Sequence, residues 1–140
     1  MNQKISLIIA LAVALSIVNA FGQGMDNAKG AVMAAEKWLA LVDAGNYTES
    51  WNEAAGYFKK AVKQDQWEQS LQSARQPLGE LISRNLTSKV YTKTLPGAPD
   101  GEYVIMQFES AFQNKKSALE TVTCVKEKDG HYRVAGYYIK

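Results

Sequence analysis

The sequence predicts an α+β fold in which three N-terminal helices pack on a four-stranded antiparallel meander sheet. Three observations predict it. Apolar residues recur at helical spacing through the first half of the chain, the period falls toward two after Gly79, and short turn clusters separate the later segments. Helices first and strands second, without β-α-β alternation, place the strands in one antiparallel sheet with the helices gathered on it. The chain has 140 residues, enough for one domain, with 46% hydrophobic residues, too many for disorder.

The first helix is predicted from a cap at Asp26 or Asn27 to about Ala44, with Ala28, Val32, Ala35, Leu39 and Val42 on one face and Trp38 and Leu41 widening it. Gly45 reads as its left-handed stop. Asn46 and Glu49 have capping-box spacing for a second helix whose stripe is Trp51, Ala54, Ala55, Phe58 and Val62. Asp65 and Glu68 repeat the spacing for a third, with Trp67, Leu71, Ala74 and Leu78 inward and Pro77 and Gly79 ending it.

The segment from Leu81 to Leu95 is predicted as the first strand, with Leu86, Ser88, Val90, Thr92 and Thr94 on one side. Pro96 to Gly101 is a turn cluster. Glu102 to Phe112 follows as a strand, then a polar link from Gln113 to Ser117, then a strand from Ala118 to Lys126. A three-residue loop, Lys128-Asp129-Gly130, is favoured over a two-residue turn, because it sets Cys124 opposite Val134 and Val122 opposite Gly136. The face expected to meet the helices then carries Val104, Met106, Phe108, Val122, Cys124, Tyr132, Val134 and Tyr138. None of these is an acid or an imidazole.

Ahead of this domain, taken as residues 28–140 with a short lead-in at 21–27, lies a candidate export signal. Lys4 precedes an apolar run from Ile5 to Val18, shorter than the roughly 20 residues that span a bilayer. Val18-Asn19-Ala20 supplies small or slim residues at cleavage spacing, and Ala20-Phe21-Gly22 is a second option. Residues 1–20 are therefore expected to be a signal peptide, the mature protein periplasmic or secreted, with no stable membrane anchor after cleavage.

Composition narrows the chemistry. Sixteen Lys and Arg against 14 Asp and Glu give no case for nucleic acid. One Cys and one His provide neither a disulfide framework nor an ordinary zinc site, and no metal or cofactor is expected. Cys124, in a β-branched stretch, reads as a small buried hydrophobe. His131 follows a turn glycine and has no visible orienting partner. Asp43, Asp65, Glu80 and Asp100 suit caps and turns, and Lys59, Lys60 and Lys63 form a solvated basic patch. No catalytic residue is assigned.

Trp38 through Tyr47 (WLALVDAGNY), Leu95 through Val104 (LPGAPDGEYV) and Gly136-Tyr137-Tyr138-Ile139 resemble the bacterial family called domain of unknown function 4019, as do Asn114-Lys115-Lys116 and Glu120-Thr121-Val122-Thr123. The resemblance runs from about Ala28 to Lys140. Tyr132 stands where many members carry Trp. The likeness implies a short exported protein with a cone-like arrangement similar to nuclear transport factor 2, a superfamily that holds isomerases, dehydratases and non-catalytic modules. The expected function is a non-catalytic module binding an envelope protein or a small apolar ligand in the sheet–helix cleft, with Trp38, Trp51, Tyr103 and Tyr138 at its wall and rim. The alternative is a small isomerase- or hydrolase-like enzyme in the same cleft.

Overall fold

The computed structural model describes residues 23–140, so the expected signal peptide and both candidate cleavage sites lie outside the described residues. Helix α1 spans Gln23–Asp43, α2 Tyr47–Asn52, α3 Gly56–Ala61 and α4 Gln64–Arg75, followed by a 3-10 turn at Gln76–Leu78. Strands β1 Leu81–Thr92, β2 Tyr103–Phe112, β3 Lys115–Lys126 and β4 Tyr132–Ile139 form one antiparallel sheet in the order β1-β2-β3-β4. The α+β class and the meander are as the sequence predicts.

The helices depart from expectation in number and bounds. Helix α1 begins at Gln23, inside the stretch read as a lead-in. The expected second helix is two short ones, broken over Glu53–Ala55, where Ala55 turns extended and donates its N–H to the Val134 carbonyl at 2.8 Å. Neither Asn46 nor the residue before α4, Lys63, caps its helix through a side chain. In α4 the buried stripe is Trp67, Leu71 and Arg75, while Ala74 is exposed. The end of α1 is as expected: the Gly45 N–H reaches the Val42 carbonyl and the Asn46 N–H the Leu41 carbonyl, a Schellman closure with Gly45 at φ 78°.

One sheet face carries the core. Val104, Met106 and Phe108 of β2, with Val122 and Cys124 of β3 and Val134 of β4, pack against Trp38, Leu39, Val42, Phe58, Trp67 and Leu71. The opposite face holds a small second cluster, Leu95, Tyr103 and Ile105, where the Tyr103 hydroxyl donates to the Pro99 carbonyl.

Register explains the remaining differences. The β3–β4 loop has the favoured three residues, since the Glu127 N–H meets the His131 carbonyl and Cys124 lies opposite Val134. An irregularity beyond that pair leaves Ala135 unmatched, so Val122 faces Tyr137 rather than Gly136. Tyr137 is thereby turned into the core, and Tyr138, expected inward, is 43% exposed. A second irregularity between Leu86 and Ser88 splits the stripe predicted for β1: Leu86 pairs with inward Phe108 and Tyr91 with inward Val104, but Val90 pairs with Ile105 on the outer face. Strands β2 and β3 are joined by a tight turn at Gln113-Asn114, and Lys115 to Ser117 belong to β3.

Gly79 holds the passage from the helices to β1. Its φ of 72° and ψ of −157° lie in a region open almost only to glycine, and a Cβ there would sit 2.8 Å from the Gln113 side chain. A Cβ at Gly45 would meet nothing within 4 Å. Gly45→Ala is therefore expected to cost about 1 kcal/mol and Gly79→Ala about 2–3 kcal/mol, read from urea unfolding midpoints.

Candidate functional site

Two features stand out: a buried cluster of charges between helices and sheet, and an open cleft beside β4. The cluster is built by residues that continue the apolar stripes. Glu120 shares its strand face with Val122 and Cys124, Arg84 its face with Leu86, and Arg75 lies one helical step beyond Leu71. Asp43 stands four residues after Leu39, in the last turn of α1.

Arg84 is the bridge. Its Nη1 and Nη2 donate to the two Asp43 carboxylate oxygens at 2.7 and 2.9 Å, and its Nε donates to Glu120 Oε1 at 2.7 Å. Arg75 Nη2 donates to Asp43 at 2.7 Å, and its Nη1 stands 3.8 Å from Glu120 Oε2. Glu120, fully buried, also accepts from Ser110 Oγ at 2.6 Å and from the Tyr137 hydroxyl at 2.5 Å. The Arg75 guanidinium lies 4.7 Å from the centre of the Phe112 ring, and its Nε alone has no partner among the described residues. Two guanidiniums face two carboxylates, so the interior carries no net charge here.

Electrostatics follow from this pairing. Burial raises the Asp43 carboxyl, but hydrogen bonds from Arg84 and Arg75 outweigh it and leave the group below its ordinary value. Burial pushes both guanidiniums down; the neighbouring Tyr137 oxygen and then Asp43 and Glu120 more than reverse this for Arg75, and hydrogen bonds to Asp43 and Glu120 do so for Arg84. Tyr137 is raised well above the usual phenol range by burial and then by the neighbouring Glu120 charge. Both oxygens of the Glu120 carboxylate are engaged and its side chain is fully buried, so it holds Arg84, Ser110 and Tyr137 in place. The cluster clamps the ends of α1 and α4 to β1, β3 and β4.

The cleft has a volume of about 560 Å³. Ala34, Trp38 and Leu41 of α1 and Val134 of β4 form its apolar floor, and Lys37, Glu49, Glu53, His131, Tyr132 and Arg133 surround it. Trp38 is fixed by its indole N–H, which donates to the Ser50 carbonyl at 2.8 Å, and by tilted packing on Tyr137 at 5.3 Å and Trp67 at 6.0 Å. The Trp67 indole N–H donates to Ser50 Oγ at 3.0 Å. Arg133 is already held, donating to Glu127 at 2.9 Å and to both Asp129 oxygens at 3.0 and 2.8 Å.

Of the four residues expected at the cleft, the structure brings only Trp38 to it. Trp51 lies half-buried near α3, donating to the Val62 carbonyl with Lys59 Nζ 5.9 Å from its ring. Tyr103 is buried in the outer-face cluster, and Tyr138 is exposed opposite the core. The inward face does contain an acid, Glu120, beside a tyrosine, Tyr137. Alternation from Val122 marks Glu120 in the sequence. The Ala135 irregularity hides Tyr137. Cys124 is buried, and burial pushes its thiol up to about 12. Among the described residues no helix is long and apolar enough to cross a membrane.

Residues 34–137 match the family described as "Protein of unknown function (DUF4019)", and the chain belongs to that family. No curated protein and no solved structure matches it.

Glu120→Gln is expected to cost about 3–5 kcal/mol in urea unfolding, because it leaves two guanidiniums buried with one anion. Asp43 holds its proton less readily folded than unfolded, so its contribution is complete above its unfolded value near 3.8 and is lost as pH falls through the lower folded one. Asp43→Asn is expected to flatten the acid limb of a stability–pH profile in that window.

Proposed function

We propose that this family member is exported and acts as a non-catalytic binding module, taking an envelope protein or a small apolar ligand in the cleft between α1, α2 and β4. The observation that carries the reading is the cleft itself, whose volume of about 560 Å³ falls in the range of small-molecule sites and whose apolar floor is ringed by polar groups. Trp38 forms a rigid aromatic anchor there, since its indole N–H and both ring neighbours are fixed. Export rests on the short apolar run behind Lys4 and the small residues that follow it. Helices closing over one face of a sheet also suit a nuclear-transport-factor-2-like arrangement.

The enzyme alternative would draw on Glu120 and Tyr137, the acid–tyrosine pair of the inward face. Two arginines and a serine occupy that carboxylate, and it lies outside the cleft lining. This weighs toward binding.

The test uses 1-anilinonaphthalene-8-sulfonate as an apolar probe. It is expected to bind the native protein, change tryptophan fluorescence and raise the melting temperature as ligand linkage requires. Ala34→Met, which places a larger side chain on the half-exposed flank of α1, is expected to weaken the probe at least tenfold without lowering the melting temperature. Absence of native-state binding, or equal binding by Ala34→Met, would contradict the reading.

A further inference from the structure

The lining of the cleft is more specific than its apolar floor alone. Two aromatic residues belong to it, Trp38 of α1 and Tyr132 of β4, beside Ala34, Leu41 and Val134. The Trp38 indole N–H is occupied by the Ser50 carbonyl, which leaves the ring for a ligand. The Tyr132 hydroxyl is buried, so that residue likewise presents its ring to the cleft. The face of an aromatic ring is electron-rich and attracts an organic cation as well as an apolar body.

Charge at the rim has the matching sign. Arg133 donates to Glu127 and to both oxygens of Asp129, so its charge is already matched. Lys59, beside the end of α2, donates to the Asn52 carbonyl and lies over the Trp51 ring. Glu49 and Glu53 remain. The Glu53 N–H donates to the Glu49 carbonyl at 2.9 Å, which continues the helical turn and sets both side chains on one side of α2. Both are exposed, line the cleft and have no ion-pair partner among the described residues. Against them the lining sets Lys37 alone, since Arg133 is matched and His131 counts as neutral. The free charge facing the cleft is therefore negative, in a chain whose formal net charge is +2.

We infer that the cleft is a site for an organic ammonium ion, an alkylammonium or quaternary ammonium compound. Its apolar body lies on Trp38, Leu41 and Val134, and its cation meets the aromatic rings and the carboxylates of Glu49 and Glu53. Rings and carboxylates together favour such a cation over a neutral or anionic molecule of the same shape. The inference rests on the binding reading above and names the class of its ligand.

The test compares hexyltrimethylammonium, hexanoate and 1-hexanol, which share an apolar body and differ in charge, by calorimetric titration of the purified protein at low salt. The ammonium is expected to bind at least tenfold tighter than the other two and to displace 1-anilinonaphthalene-8-sulfonate. Its advantage should shrink in high salt, because the carboxylates are exposed. Glu49→Gln with Glu53→Gln is expected to weaken the ammonium at least tenfold and to strengthen the anionic dye, and Lys37→Gln to do the reverse. The melting temperature of each variant without ligand checks that it is folded. Equal binding of the three compounds, or an unchanged ammonium affinity in the Glu49→Gln, Glu53→Gln variant, would overturn the inference. Failure of the ammonium in a protein that still binds the dye would overturn it and leave the binding reading standing, whereas failure of both would remove the two together.

Discussion

The pairing of Arg84 with both Asp43 and Glu120 is the constraint on which the rest of the structure depends. A carboxylate as deeply buried as Glu120 is tolerable only when its charge is matched and its lone pairs are used. Meeting that condition requires α1 to end where Asp43 reaches Arg84, α4 to present Arg75, and β1 and β3 to lie in the register that sets Arg84 near Glu120. It also requires Tyr137 on the inner face, which β4 achieves through the unmatched Ala135. Five elements are thus positioned by one polar cluster, in a core filled mostly by apolar side chains that tolerate small shifts.

The cluster reaches the cleft through aromatic rings. Tyr137 donates to Glu120 and packs on Trp38, Trp38 packs on Trp67, and Phe58 meets Trp67 edge-on at 4.9 Å. Ser50 joins the same group by accepting from both indoles. The cleft floor is consequently a continuation of the core, and its shape depends on α1 keeping its distance from β4. A surface groove with such a foundation is preorganised, which lowers the cost of ordering it on binding.

Much of this was legible in the sequence, in proportion to how local the cause is. Gly45 after Val42 marks the end of α1, and the alternation of Val104, Met106 and Phe108 identifies the inner face of β2, because each rests on spacing within one element. The pairing of Cys124 with Val134 follows from loop length. Glu120, Arg75 and Arg84 were equally accessible by spacing, yet charged side chains are read by default as solvent-facing, and only their mutual neutralisation makes the interior acceptable. That neutralisation joins residues as far apart in the chain as Arg75 and Glu120 and has no local signature. The irregularities at Thr87 and Ala135 are likewise tertiary, and the second exchanged Tyr138 for Tyr137. The break between α2 and α3 reflects the bond from Ala55 to Val134, a contact that helical periodicity does not record.

The most direct measurement is a double-mutant cycle between Arg84 and Glu120, using Arg84→Met, Glu120→Gln and their combination in urea unfolding. If the buried pairing organises the fold, the double variant should be far less destabilised than the sum of the single ones, with a coupling of at least about 1.5 kcal/mol. Additive losses, with coupling near zero, would contradict it and return the positioning of helices on sheet to apolar packing alone.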